Sequence, residues 1–288
     1  MHLPPAVKQL LTLRNPNSYT TPSITRLHAV LQRTVADARR RNAEKGWLVL
    51  ATCTFLTSNV PSAVGHLYHF ATRNDPNDPV SRRDAAEAVT KAAIIRESAL
   101  KSTIFVGVPR TILALASLMA AAESDVKKTL RTESHRLDLR LLVADGLPGV
   151  SRTLTPENIE SVLSRGQALW DSIYDPHAVK LYSKLGSYHP DFISFIIQSY
   201  GSVLAPLPDE NEQGNLSRAL GSVVGVACLR TEGGVGPQLT SHVFGLLKAR
   251  TMDNLNEEDK WLSSDEGTEW VIRTVDTLSD AVRPLTKL

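Results

Sequence analysis

The chain is 288 residues long, 42 % hydrophobic and 22 % charged, with a formal net charge of +2. That is enough apolar material for one large core or two ordinary ones, and no long basic block marks nucleic acid as a main partner. Aromatics at 6 % against abundant Ala, Leu and Val favour packed helices over sheets. No apolar stretch of about 18 residues escapes a polar break, so no membrane span is expected. Two cysteines without a Cys-x-x-Cys exclude a disulfide framework and suit an intracellular protein.

Residues 1–22, rich in Pro, Asn, Ser and Thr, read as an arm with one small helix. No Asp or Glu precedes Asp37, whereas Lys8, Arg14, Arg26 and Arg33 do, a composition that also suits a mitochondrial presequence. Pro4, Pro5, Pro16 and Pro22 break any long amphipathic helix there. A helix is predicted from Ser23 to about Ala43 by the spacing of Ile24, Leu27, Val30, Leu31, Val35 and Ala38. Arg39, Arg40 and Arg41 fall on its solvated face.

After Gly46, Trp47 to Leu56 is apolar with β-branched residues; a strand is conceivable, and the helical surroundings favour a buried helix. Pro61 suits the first turn of the next helix, capped by Ser58 or Asn59 and carrying His66, Tyr68, His69 and Phe70. Residues 74–79 are a loop. Ser81 or a neighbour caps a helix through Glu87 to about Phe105, which Gly107-Val-Pro109 ends before a further helix to about Ala122. Residues 123–153, charged and containing Asp145-Gly-Leu-Pro-Gly149, read as a connection.

A helix then runs from Pro156 to about Trp170, followed by a Tyr- and His-bearing segment. Further helices are predicted over 190–203, 215–230, 237–250 and 266–282. Gly233-Gly-Val-Gly236 forms a flexible turn, and the acidic stretch 253–266 is placed at the surface. The last three residues, Thr286, Lys287 and Leu288, resemble the Ser-Lys-Leu peroxisomal address, which an import receptor reads. The peroxisome matrix ranks first and the mitochondrion second.

The two sides of the connection echo each other. Trp47 to Leu56 leads to Val60-Pro61 and His66; Leu220 to Leu229 leads through the glycine turn to Gln238-Leu239 and His242. Each histidine is followed by an apolar stretch, a polar acidic loop and another helix, Ile94-Ile-Arg-Glu-Ser98 or Trp270-Val-Ile-Arg-Thr274. The chain thus divides into an arm (1–22), a first half (23–122), a connection (123–153), a second half (154–283) and a targeting tail (284–288).

In the second half, Pro190-Asp-Phe192, Tyr200-Gly201, Arg218-Ala-Leu220 and Gln238-Leu-Thr-Ser-His242-Val-Phe-Gly245 resemble, in that order, the pattern of the AhpD-like/carboxymuconolactone decarboxylase superfamily. Glu97 and the Phe105-Val-Gly107-Val-Pro109 corner resemble a later segment of the same family. With the tail, the whole is similar to fungal peroxisomal AhpD-like proteins. The resemblance covers about 200 residues and implies an all-α fold and self-association as a homodimer. It does not carry the peroxidase chemistry of that superfamily, which uses Cys-x-x-Cys-x-x-x-His. Counted back from His66, the cysteine positions hold Asn59 and Ser62; counted back from His242, they hold Val235 and Gln238. The family's upstream relay glutamate also has no match. Cys53 and Cys228 read as small buried apolar residues.

Decarboxylase members move a proton to a carbanion-like carbon, which a histidine or glutamate near neutral pKa can do. The resemblance makes His242, its counterpart His66 and Glu97 the candidate catalytic residues. Arg218 or Arg96 would clamp a substrate carboxylate, and Tyr200 lies in the same pattern. Each also has a purely structural reading. The histidines can be satisfied core groups, Glu97 can pair with Arg96 or with Lys101 at the i+4 spacing, and Tyr200-Gly201 can serve packing. His66 and His69, three apart, share a helix face but lack a visible third ligand. No metal or cofactor is expected.

Two functions compete: acid–base chemistry on a small carboxylated metabolite, and a catalytically silent fold kept for binding or assembly. A histidine facing an enclosed cavity with an acid and an arginine favours the first; histidines packed away from any pocket favour the second.

Overall fold

The computed structural model describes residues 3–14, 22–131, 156–207 and 212–282. Thr286, Lys287, Leu288 and the Asp145–Gly149 corner lie outside the described residues. Among those described there is no strand, only one isolated antiparallel bridge between Arg73 and Arg82. The protein is all-α, as its composition predicts.

The arm forms α1 (Pro5–Arg14), whose Val7 and Leu10 are exposed. In α2 (Ile24–Arg40) the predicted stripe is the buried one: Leu27, Leu31, Val35 and Ala38. Its cap is Ser23, whose Oγ accepts the Arg26 N–H at 3.4 Å. The ambiguous apolar run is helix α3 (Glu44–Thr57), buried on every side from Gly46 to Thr57. Thr52 and Thr54 lose no hydrogen bonding there, because their hydroxyls donate to the carbonyls of Leu48 (2.8 Å) and Leu50 (2.7 Å).

Helix α4 (Pro61–Thr72) begins at Pro61, but neither Ser58 nor Asn59 caps it. Val60 holds the cap position without a side-chain bond. Asn59 instead takes φ 56° and closes α3, the left-handed role that asparagine tolerates. Asp84 caps α5 (Ala85–Val106), accepting the Glu87 N–H at 2.7 Å. Gly107 at φ 85° then turns the chain into α6 (Val108–Ala121). The predicted connection opens with a further helix, α7 (Ser124–Thr129).

The second half holds α8 (Ile159–Tyr174), α9 (Ala178–Tyr188) and α10 (Phe192–Ser199), which runs into a π turn over Tyr200–Leu204. Then come α11 (Arg218–Glu232), α12 (Gly236–Lys248), α13 (Glu257–Leu262) and α14 (Asp265–Val282). The acidic stretch is therefore not all surface. In α13, Asp259 and Leu262 are buried, and Asp259 accepts a hydrogen bond from Ser217 at 2.9 Å. The partner outweighs the sequence signal, since a carboxylate enters a core when hydrogen-bonded.

Helices α3 and α11 pack on each other, and each packs on both α5 and α14. Helix α4 lies against α3 on one side of this centre, and α12 against α11 on the other. At the middle, Cys53 and Cys228 lie side by side, unbridged and fully buried, and the Ser102 Oγ donates to the Cys53 sulfur at 3.3 Å. Burial pushes the Cys53 thiol up, and the pair's neighbour in hydrogen bonding is Ser102, not a histidine. They are packing residues.

A smaller apolar cluster forms where α8, α10 and the π turn meet, with Trp170, Ile193, Ile197 and Tyr200 at its centre. The crossing is backbone to backbone. A Cβ on Gly166 would lie 2.1 Å from the Ile197 carbonyl oxygen, and one on Gly201 would lie 1.9 Å from that of Val162. Only two glycines allow that approach, and it sets where Tyr200 sits.

Candidate functional site

The second-half residues singled out in the sequence come together. Arg218, in the first turn of α11, donates to the Ser172 hydroxyl of α8 (3.1 Å), to the Ser222 hydroxyl one turn on, and to the Gly245 carbonyl of α12 (3.2 Å). The guanidinium thereby ties three helices. Burial pulls its pKa down to about 10, so it stays cationic at neutral pH. Among the described residues no carboxylate forms an ion pair with it.

His242 of α12 faces the same interior and is 3 % exposed. Its ring meets Phe105 of α5 edge-on, with centroids 5.1 Å apart, and Tyr174 of α8 at 6.3 Å. Burial first, and then the Arg218 charge, push its pKa down to about 4. It is a neutral imidazole at physiological pH. Gly225 admits the ring, since a Cβ there would stand 2.6 Å from His242 Nδ1 and 3.2 Å from Phe105 Cζ. Beside His242, Arg218 and Ser222 there is a space of about 10 Å³, closed by Ile173, Leu204 and Pro206. One water molecule would fill it.

Tyr200 is buried nearby, its hydroxyl 3.2 Å from that of Tyr174. Burial raises both phenols, so neither ionises at neutral pH. Glu97 and Lys101 pair at 3.6 Å within α5, the structural alternative read from their spacing. Lys101 is fully buried and donates to the carbonyls of Val203 (3.0 Å), Leu204 (2.7 Å) and Ala205 (2.8 Å). An ammonium placed on the carbonyls that end the π turn satisfies groups that would otherwise be orphaned. The pair therefore anchors the wall beside His242.

His66 and Arg96 are not part of this cluster. His66 is half-buried on α4, its ring 6.1 Å from His28 of α2. Burial and the charges of His28 and His69 lower its pKa. His69 bonds the Ala121 carbonyl at 3.0 Å, so the face shared by the two histidines is not a free ligand pair. Among the described residues no group of three His, Cys, Asp or Glu side chains could hold a metal. Arg96 donates to the Arg131 carbonyl at 2.8 Å, tying α5 to the chain two residues beyond α7.

Sequence reasoning missed Phe105, Ser172, Tyr174, Ser222 and Gly225. Ser222 stands four residues after Arg218 on one helix, and Gly225 interrupts an apolar run, so both left a signal. The others reach the site only through packing of α5 and α8.

The class defined by fold and site is an all-helical protein with a sealed histidine–arginine cluster. Compared with protein-family models, curated proteins and solved structures, the chain matches none. No described helix is long and apolar enough to cross a membrane.

Proposed function

We propose that this chain is an AhpD-like helical protein of two related halves whose histidine helices are structural and whose role is binding or assembly. The observation that carries the reading is the 10 Å³ space beside His242: a substrate needs some hundreds of Å³. A neutral, enclosed imidazole wedged against Phe105 serves packing well and proton transfer poorly, because no reacting atom can come within hydrogen-bond reach. The duplication is supported by the like placing of α3 and α11 against α5 and α14. It is supported too by Cys53 and Cys228, each four residues from the end of its helix, meeting at the centre.

One observation favours the alternative, acid–base chemistry on a carboxylated metabolite. Arg218 is a buried cation with no described carboxylate partner, beside a histidine, and could receive a substrate carboxylate if the wall at Ile173 opened. The two readings separate in one assay: incubation of the protein and of His242→Gln with a panel of small keto and lactone carboxylates, following carbon dioxide release and product NMR. The binding reading expects no turnover by either; release by the wild-type protein that His242→Gln abolishes would overturn it.

Peroxisomal import through Thr286, Lys287 and Leu288 and self-association as a homodimer belong to the same proposal. Substituting Leu288 should strand the protein in the cytosol, and unchanged import would refute that address.

A further inference from the structure

Among the described residues three concavities of about 480 to 540 Å³ stand out; in one, along α14, Arg230 and Arg273 are paired with Asp276 and Glu269, and the charges of the other two differ in kind. One, about 540 Å³ between α2 and α14, is rimmed by Arg40, Arg41 and Arg273, but these are matched by Asp37, Glu266 and Glu269. Of its four arginines, only Arg33 forms no ion pair among the described residues. The other is a groove of about 510 Å³ where the α8–α9 corner faces α12. Its apolar walls are Ile173, Tyr174, Pro176, Leu181 and Phe244, and its rim carries Lys180, Lys184 and Lys248.

The lysines of this second groove lack acidic answers. Lys180 and Lys184 are exposed and stand one turn apart on α9, a repulsive i, i+4 pair, and neither forms an ion pair among the described residues. Lys248 donates to the carbonyls of Ile173 (2.7 Å) and Asp175 (2.6 Å) at the end of α8. An ammonium has three donors, so one is left for a ligand. Asp175 is the single carboxylate in the lining. Phe244 stands 55 % exposed on the opposite wall, an aromatic surface that water solvates poorly.

An apolar trough with an excess of unanswered ammonium groups at one edge has the chemistry of a site for an organic anion. From it we infer that the α8–α9/α12 groove binds a carboxylate with a medium-length apolar chain, the chain lying against Phe244 and Leu181 and the carboxylate against Lys180, Lys184 and Lys248. The volume falls in the range of small-molecule sites. Neither component suffices: surface lysines alone hold an anion weakly, and the apolar wall alone does not choose between a carboxylate and an alcohol. This deepens the binding reading and rests on it, giving that reading a ligand class.

The test is a titration of the full chain, by calorimetry and by NMR shifts of the α9 and α12 amides, with octanoate, octan-1-ol and acetate. Octanoate should bind on the order of tenfold more tightly than either other probe, since charge and chain each contribute. The double variant Lys180→Glu/Lys184→Glu, on exposed positions that leave the fold intact, should lose octanoate affinity by a similar factor. Phe244→Ser should weaken octanoate and leave acetate unchanged. Equal binding of octanoate and octanol, equal binding of octanoate and acetate, or a double variant that binds as the wild type does would each overturn the site. So would binding of an acidic peptide with no response to octanoate. His242→Gln should bind octanoate as the wild type does. Loss of the groove site therefore leaves the silent-histidine reading standing, and turnover at His242 would overturn that reading without changing the octanoate titration.

Discussion

The two histidine helices sit in opposite electrostatic surroundings. Around α4, the buried cation Arg73 has a carboxylate: Glu123 lies 3.0 Å from it and also accepts the Tyr68 hydroxyl. The histidine there, His66, is half-buried among other rings at the edge of the fold. Around α12, the buried cation Arg218 is held by two hydroxyls and a carbonyl, and His242 is sealed beneath it. If the halves share an origin, they have been settled by different means: one by pairing charges, the other by excluding water and leaving the histidine neutral. Residues at matching places in a repeated pattern can thus have unlike chemistry, because what titrates a group is the helix packed across from it.

The strongest expected contrast is in pH dependence. In the folded chain His242 has a pKa pushed down to about 4 from 6.5, so the unfolded chain takes up this proton first. The stability this group contributes is complete above about pH 6.5 and is lost as pH falls toward 4, on the order of 3 kcal/mol in all. Urea unfolding of the wild type and His242→Gln between pH 7.5 and 4.5 should show this slope only in the former. His66→Gln should change the slope less, since that ring is more open to solvent.

Breaking the paired cation comes next. Arg73→Met leaves Glu123 with only the more distant Arg82, at 4.0 Å, and should cost about 2–3 kcal/mol, below the usual range for a broken buried pair because Arg82 and water remain. A thermal melt measures it. Gly225→Ala should cost about 1–3 kcal/mol by overpacking His242 and Phe105, and His242→Ser in the same chain should recover part of the loss. The smallest effect sharpens the comparison most. Arg218→Met removes a buried charge that has no described acid to leave behind, only two hydroxyls and a carbonyl, so it should cost less than Arg73→Met, about 1 kcal/mol. It should also raise the His242 pKa, read by NMR. A loss from Arg218→Met as large as that from Arg73→Met would mean that Arg218 is paired with an anion after all.

Much of the fold was legible in the sequence. The stripe of α2, the prolines in the first turns of α4 and α12 (Pro61 and Pro237), the glycine corner at Gly107 and the buried character of α3 all follow from local patterns. The resemblance put His242, Arg218 and Tyr200 in one candidate site together with Glu97, His66 and Arg96, of which His66 and Arg96 lie elsewhere. What failed to show was decided across helices. Asp259 is buried because Ser217 meets it; Asn59 closes one helix instead of capping the next; Lys101 is buried because three carbonyls of the π turn lie within its reach.

By itself, then, the sequence determined that this protein is helical, where its longer helices lie, and which residues carry titratable groups, since these depend on periodicity and side-chain chemistry along one strand of chain. Only the tertiary structure decided that His242 is enclosed while His66 is half-buried, that Cys53 meets Cys228, and that lysines of α9 and α12 converge on one apolar groove. Those depend on which helices touch, and burial and charge act through space, without regard to distance along the chain.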